Sequence, residues 1–237
     1  MRQENLERLS YPVAGINHPY YIEYKFLFKD LKDAAQQYAK GDLLDIGCGN
    51  KPYRPFFDGK LTSYIGCDII QSDKNLVDII CPATDIPLAD NCKDTVFSTQ
   101  VIEHVADHRK LLSEAFRILK PGGHLIVSGP MAWEHHEEPY DFFRFTRYGF
   151  EYILTETGFT DIIIVPNGGK WAMVGQLLHN SLRSSCYGKK SIKARLLKGV
   201  YFLFRLKWII NLFFVWLDNF DKDYSSTLNF VVIARKP

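Results

Sequence analysis

Apolar positions along this chain follow two rhythms, and their alternation predicts an α/β fold. Short, nearly unbroken apolar runs occupy residues 43–46, 64–69, 77–81, 95–99 and 125–128. Such runs suit strands whose two faces are both covered. Between the last two, Leu111, Leu112, Ala115, Phe116 and Leu119 recur at three- and four-residue steps, the spacing of one helix face. Asp107 is expected to cap the start of that helix, and Pro121-Gly122-Gly123 to stop it. A helix over 18–40 is expected to end on Gly41, and another over 147–157 on Gly158. Two further strands are predicted at 161–165 and 228–234. Strands that alternate with helices imply a mostly parallel sheet with right-handed crossovers. The expected organisation is one domain with an N-terminal helical cap (1–40), a ligand-binding core (41–168), an insertion of about two helices (169–226) and a last strand (227–237).

Composition narrows this picture. A chain of 237 residues, 46% of them hydrophobic, can bury the core of one such domain. A net charge of +2 gives no reason to expect a nucleic-acid partner. The five cysteines form no CxxC pair and read as reduced, mostly buried side chains. The N-terminus lacks the apolar core of a signal peptide, and no window reaches the roughly 18 uncharged apolar residues of a spanning helix. These features together predict a cytoplasmic protein.

Charge is unevenly placed. Residues 170–217 contain no Asp or Glu but hold Lys170, Arg183, Lys189, Lys190, Lys193, Arg195, Lys198, Arg205 and Lys207. Interleaved are Tyr201, Phe202, Phe204, Trp208, Phe213, Phe214 and Trp216. This mixture has the composition of helices that lie on an anionic membrane surface. One reading therefore gives 189–217 a peripheral contact with the inner face of a membrane. The other makes the insertion a cover over the functional site or a homodimer contact.

The first predicted strand runs into Leu44-Asp45-Ile46-Gly47-Cys48-Gly49-Asn50, a glycine-rich turn where open α/β sheets bind ligands. The third glycine of the dinucleotide fingerprint is absent, because Lys51 and Pro52 follow. Asp68 ends the second strand, 19 positions after Gly49, where a carboxylate can accept from both hydroxyls of a ribose. Asp85 and Ile86 follow the third strand, where they could hold an adenine ring between a carboxylate and an apolar side chain. Read alone, Asp68 also suits a surface loop and Asp85 a turn before Pro87.

The series LLDIGCGN, IGCDI, ATDIPLADNCKDTVFSTQVIEHV and LLSEAFRILKPGGHLIVSGP resembles the class I methyltransferases, over about residues 41–165. Within them it is similar to the branch that includes quinone, small-molecule and glycan-cluster methyltransferases. The resemblance implies a Rossmann-like, seven-stranded sheet of order 3-2-1-4-5-7-6 with its last strand antiparallel, and S-adenosyl-L-methionine as cofactor. It implies that Asp45, Gly47 and Gly49 flank the methionine part, Asp68 holds the ribose, Asp85 and Ile86 hold the adenine, and Gln100 and Val101 lie beside the sulfonium. Lys51 departs from the commonest glycine-rich form. The Glu103-His104 pair lies near the cofactor in the family, and a structural role is expected for His104.

The acceptor is expected to meet the segment after the fifth strand. Residues 130–146 are dense in titratable and aromatic groups, and H-E-x-P-Y-D-x-x-R-x-T from His136 to Thr146 resembles bacterial methyltransferases linked to surface-glycan biosynthesis. His136 is the expected base, Asp141 its orienting or alternative group, and Arg144 an anchor for an anionic acceptor. Asp141 and Arg144 equally suit a structural ion pair. Ligands crowded on one loop assign no metal. The expected activity is O-methylation of a hydroxyl on a saccharide or glycan intermediate, small or lipid-linked. Methylation of a quinone or other small aromatic, and a cofactor-binding scaffold without catalysis, are the competing readings.

Overall fold

The computed structural model describes residues 14–186, 191–203 and 205–237. Lys189, Lys190 and Phe204 of the basic insertion, and residues 1–13 of the expected cap, lie outside them. Helix α1 (Tyr21–Tyr38) precedes strands β1 (Gly41–Ile46), β2 (Leu61–Asp68), β3 (Ile79–Ile80) and β4 (Lys93–Thr99). Helix α2 (His108–Ile118), β5 (Leu119–Pro130), α3 (Arg147–Thr157) and β6 (Thr160–Asn167) follow. Three helices, α4 (Lys170–Cys186), α5 (Ile192–Leu203) and α6 (Leu206–Phe220), then lead to β7 (Asn229–Arg235). The sheet order is β3-β2-β1-β4-β5-β7-β6, with β7 antiparallel to both neighbours, as the resemblance implied.

Alternate residues along the strands feed two cores, which explains the continuous apolar runs. Leu44, Val96, Leu125, Val127 and Val232 meet α2 and α3 through Leu112, Ala115, Phe150 and Leu154. Leu43, Phe97, Ile126, Val231 and Ile233 meet α1 through Leu27, Leu31 and Ala35. Asp107 accepts from the Lys110 amide at 3.0 Å and Thr146 from the Gly149 amide at 3.0 Å, capping α2 and α3. Gly158 ends α3 at φ 102°.

Four local expectations are corrected. Gly41 does not cap α1. That helix ends on extended Ala39, while Gly41 opens β1 at φ 61°, where a Cβ would sit 2.4 Å from an Asp94 carboxylate oxygen. Pro121-Gly122-Gly123 does not stop α2. The helix already ends at Ile118, and Leu119 pairs with Lys93 in β5, with an irregularity between Lys93 and Thr95 taking up the extra residues. Among the described residues the insertion holds three helices rather than about two, and the third predicted strand shrinks to Ile79–Ile80.

The insertion is tied down by buried polar contacts. His179 bonds the Tyr201 hydroxyl at 2.7 Å and Asn211 at 2.8 Å, and Asn211 donates to the carbonyl oxygens of Ile16 and His18. The Asp218 carboxylate accepts from the amides of Gly169 and Ala172, joining α6 to the start of α4. Among the described residues no helix is long and apolar enough to cross a membrane.

Candidate active site

A cavity of about 1090 Å³ opens at the carboxyl ends of β1, β2 and β4. This is the edge where an open α/β sheet presents its loops to a ligand. Gly47 turns the chain out of β1 at φ 73°, and its amide bonds the Cys67 carbonyl at 2.8 Å. Any side chain here would strike Val101, because a Cβ would lie 2.3 Å from its Cγ2. The turn is thus closed against the β4 loop, and only glycine fits. Lys51 adopts the left-handed conformation itself, at φ 51°, and its ammonium pairs with Asp78.

Asp68 is buried at the end of β2, where it accepts from the Gly49 amide at 3.1 Å and the Ile69 amide at 2.7 Å. Two backbone donors therefore fix its carboxylate at the cavity wall. Asp45 lies beside it, its carboxylate receiving the Tyr64 hydroxyl. Burial pushes Asp45 up to about 7 against the opposing pull of that hydrogen bond. Gln100, at φ 53°, donates its side-chain amide to Ser128 Oγ at 3.1 Å. Asp45, Gly47, Gly49, Asp68, Gln100 and Val101 all line this one cavity.

Asp85 and Ile86 do not. Ile86 is 2% exposed because its side chain joins the core under α2, while its amide donates to Glu114 at 3.0 Å. Asp85 is exposed outside the lining. The wall at that place is made by Cys81, Pro82, Ala83 and Thr84, the residues just before the expected pair.

The opposite end is formed by the loop after β5. Trp133, His135 and His136 line the cavity there, but Asp141 and Arg144 do not. Their guanidinium–carboxylate pair is two-pronged, at 2.6 and 2.8 Å. Arg144 also donates to the carbonyls of Glu134 and Phe143, at 3.0 and 2.8 Å. Arg144 beside Asp141 holds that carboxyl down to about 2. With both terminal nitrogens engaged and its side chain outside the lining, this arginine braces the loop rather than facing an acceptor, so the anion-anchor role is corrected to a structural one. Asp141 still touches the base candidate: its carboxylate accepts from the His136 amide at 3.1 Å and lies 3.5 Å from His136 Nδ1.

Two lining groups, Glu23 and Arg183, had no site role in the sequence reading. Glu23, on α1, is buried at the cavity and pushed by burial up to about 8. It stands on the stripe that carries Leu27, Leu31 and Ala34, so an acid on an apolar face was a visible signal. Arg183 of α4 pairs with Glu134 and lies 5.1 Å over the Tyr20 ring, closing the cavity from the insertion side. Glu103 lies in a 3-10 turn (Ile102–His104) after β4, fully buried and raised by burial to about 8. His104 Nδ1 is 2.8 Å from the Tyr140 carbonyl, and its ring packs edge-on to His136 at 4.7 Å.

Residues 44–127 match a family model described as a methyltransferase domain. A Mycolicibacterium smegmatis protein named as an S-adenosylmethionine-dependent methyltransferase is 35% identical over 104 residues, covering 40% of this chain and 40% of its own length. The chain spans half or less of the length of the curated relatives it matches. Among solved structures, the [4+2]-cyclase SpnF superposes on this chain with a TM-score of 0.59 at 17% identity, covering 98% of this chain and 88% of that one. An Archaeoglobus fulgidus SAM-dependent methyltransferase gives 0.54 at 18% identity, with 92% and 99% covered. Likeness at this level concerns the fold, and the two proteins' names show that one fold carries different chemistries.

Proposed function

We propose that the protein is an S-adenosyl-L-methionine-dependent methyltransferase that O-methylates a hydroxyl of a saccharide or glycan intermediate. The observation that carries this reading is the convergence of Asp45, Gly47, Gly49 and Asp68 on one cavity whose far end holds His136. The donor set fits the cofactor. Asp68 is held by two backbone amides where a ribose diol would be met. The side-chain-free turn at Gly47 leaves backbone close to the ligand, with Asp45 beside the methionine part. Gln100 and Val101 flank the sulfonium, and Ala83 and Thr84 wall the adenine end. When bound, the cofactor supplies a methyl carbon activated by sulfonium, and its sulfur keeps the carbon–sulfur pair once the acceptor lone pair has formed the new bond.

The chain's own residues hold the acceptor in line and remove its proton. His136 handles that proton, and Asp141 keeps its imidazole oriented. Tyr20, Tyr140 and Trp133 supply rings on which the flat face of a sugar can rest. The test is calorimetry with the cofactor, followed by transfer of isotope-labelled methyl into a fractionated extract. A saccharide product that gains one CH2 supports the reading. A labelled quinone moves the acceptor to the aromatic class, and cofactor binding with no transfer makes the chain a scaffold.

A second reading concerns location. Ile209, Leu212, Phe213, Trp216 and Phe220 form one exposed stripe along α6, and Lys193, Lys198, Arg205 and Lys207 lie in the same insertion. Exposed aromatics flanked by lysines suit an anionic bilayer surface and a lipid-linked acceptor. Flotation with liposomes with and without anionic lipid checks this. Recovery only with anionic lipid supports it, and failure to float with either overturns it.

A further inference from the structure

Glu103 presents a problem that the transferase chemistry above leaves unsolved. Its carboxylate is fully buried, and neither oxygen has a hydrogen-bond partner of good geometry among the described residues. A buried carboxylate in that condition costs several kcal/mol unless a cation or a proton compensates it. Arg144 lies close enough to favour its charge, but the hydrogen bonds of its two terminal nitrogens go to Asp141 and to loop carbonyls.

Two imidazoles face the same place. His104 Nε2 is 3.8 Å from Glu103 Oε1. The Tyr140 carbonyl, 2.8 Å from His104 Nδ1, can only accept, so Nδ1 carries the proton and Nε2 the lone pair. His136 repeats the arrangement, because the Glu134 carbonyl at 3.2 Å and the Asp141 carboxylate at 3.5 Å from its Nδ1 are both acceptors. Carbonyl and carboxylate acceptors behind the second ring nitrogen are what orient metal-ligating histidines. A carboxylate oxygen and one nitrogen from each ring lie within 4.8 Å of one another. A tetrahedral ion with bonds of about 2.0–2.1 Å sets its ligands about 3.4 Å apart, so small side-chain adjustments close the set. Backbone supports it as well: the Glu103 carbonyl accepts from the amides of Phe142 and Phe143, at 3.0 and 3.3 Å, binding the loop of His136 to the turn of Glu103 and His104.

We propose that Glu103, His104 and His136 form a binding site for one divalent transition-metal ion at the acceptor end of the cavity. Two imidazoles and one carboxylate favour an ion of the zinc type over magnesium or calcium. Three protein ligands leave coordination positions open, and both histidines line the cavity, so an acceptor hydroxyl can take one of them. This part rests on the transferase reading. The ion draws electron density from the bound hydroxyl oxygen and lowers its pKa, the O–H bond breaks, and the proton passes to water. His136 then serves as a ligand rather than as the free base.

The experiment uses the full chain, stripped with a chelator and titrated with Co2+ and with Zn2+. The expected result is one ion per chain, with visible Co2+ bands of a nitrogen–oxygen ligand set. Glu103→Gln and His136→Ala should each weaken binding about 10-fold or more, while His135→Ala, whose side chain is 85% exposed, should not change it. Circular dichroism and cofactor calorimetry verify the fold of each variant, and His136→Ala, on the loop, serves if Glu103→Gln does not fold. No stoichiometric ion in the wild-type chain, or binding indifferent to both substitutions, overturns the site. Ion binding without cofactor binding supports the site and overturns the transferase reading instead.

Discussion

At the β1–β2 end of the cavity the ligand-facing surface is mostly backbone, held by short local bonds. The Gly47 amide is bonded to the Cys67 carbonyl, and Asp68 is fixed by the amides of Gly49 and Ile69. At the loop end the surface is side chains with acid–base chemistry: His104, His136 and the buried Glu103 behind them. The first end is suited to a ligand of fixed shape, because a backbone cradle on a parallel sheet cannot rearrange without breaking the sheet. The second is suited to reaction, because imidazole and carboxylate side chains can take up or release a proton or ligand an ion. The comparison teaches that binding and turnover should separate under mutation, and each experiment below probes that separation.

The largest effect is expected at the loop end. His136→Ala should lower turnover about 100-fold, about 2.7 kcal/mol of barrier, while cofactor affinity stays within about twofold. Steady-state methyl transfer and calorimetry on the same preparation measure both. A loss of cofactor affinity equal to the loss of turnover would break the division between the ends.

Asp68→Ala is the converse. Removing the carboxylate loses the ribose contacts and leaves the Gly49 amide without its partner. Cofactor binding should weaken by about 1–3 kcal/mol, whereas transfer at saturating cofactor changes less. Unchanged affinity would remove Asp68 from the ribose.

The same division explains what was legible in the sequence. Gly47, Gly49 and Asp68 belong to adjacent strands at a spacing set by one crossover, so local pattern locates them. The sheet order followed from the same motifs. Glu23 and Arg183 reach the cavity only because α1 and α4 pack across its mouth, a contact between residues 153 apart that begins with the Glu23 amide on Gln176. No local pattern encodes that. Glu103 was visible beside His104, but its burial depends on the loop of residues 133–145 folding back over it. Strand ends were misplaced where pairing overrides propensity, as where Leu119 leaves the helical stripe to pair with Lys93.

Glu23 offers a test through pH. Burial raises its carboxyl from 4.5 to about 8 in the folded chain. A raised carboxyl gives its full stability below the unfolded value of 4.5 and loses it as pH climbs through about 8. Glu23→Gln, which cannot ionise, should therefore match the wild type near pH 4.5 and exceed it by about 4–5 kcal/mol at pH 8.5. Urea midpoints of cofactor-free protein across that range measure the difference. A gap that is the same at every pH would show that Glu23 does not titrate there.

The smallest effect is expected where sequence and structure disagree. Asp85→Ala should leave cofactor affinity within about 0.5 kcal/mol, because an exposed side chain outside the lining has little to lose. Its neighbour differs in kind. Ile86→Ala should cost about 2–4 kcal/mol of stability by opening a hole under α2, where Ile86 packs at 2% exposure. Affinity at full folding should then be unaffected by either change. A loss of 10-fold or more from Asp85→Ala alone would mean that the segment after β3 swings over the adenine when the cofactor binds. The backbone end would then also contain a moving part, and the contrast between a fixed cradle and a reactive loop would have to be redrawn around β3.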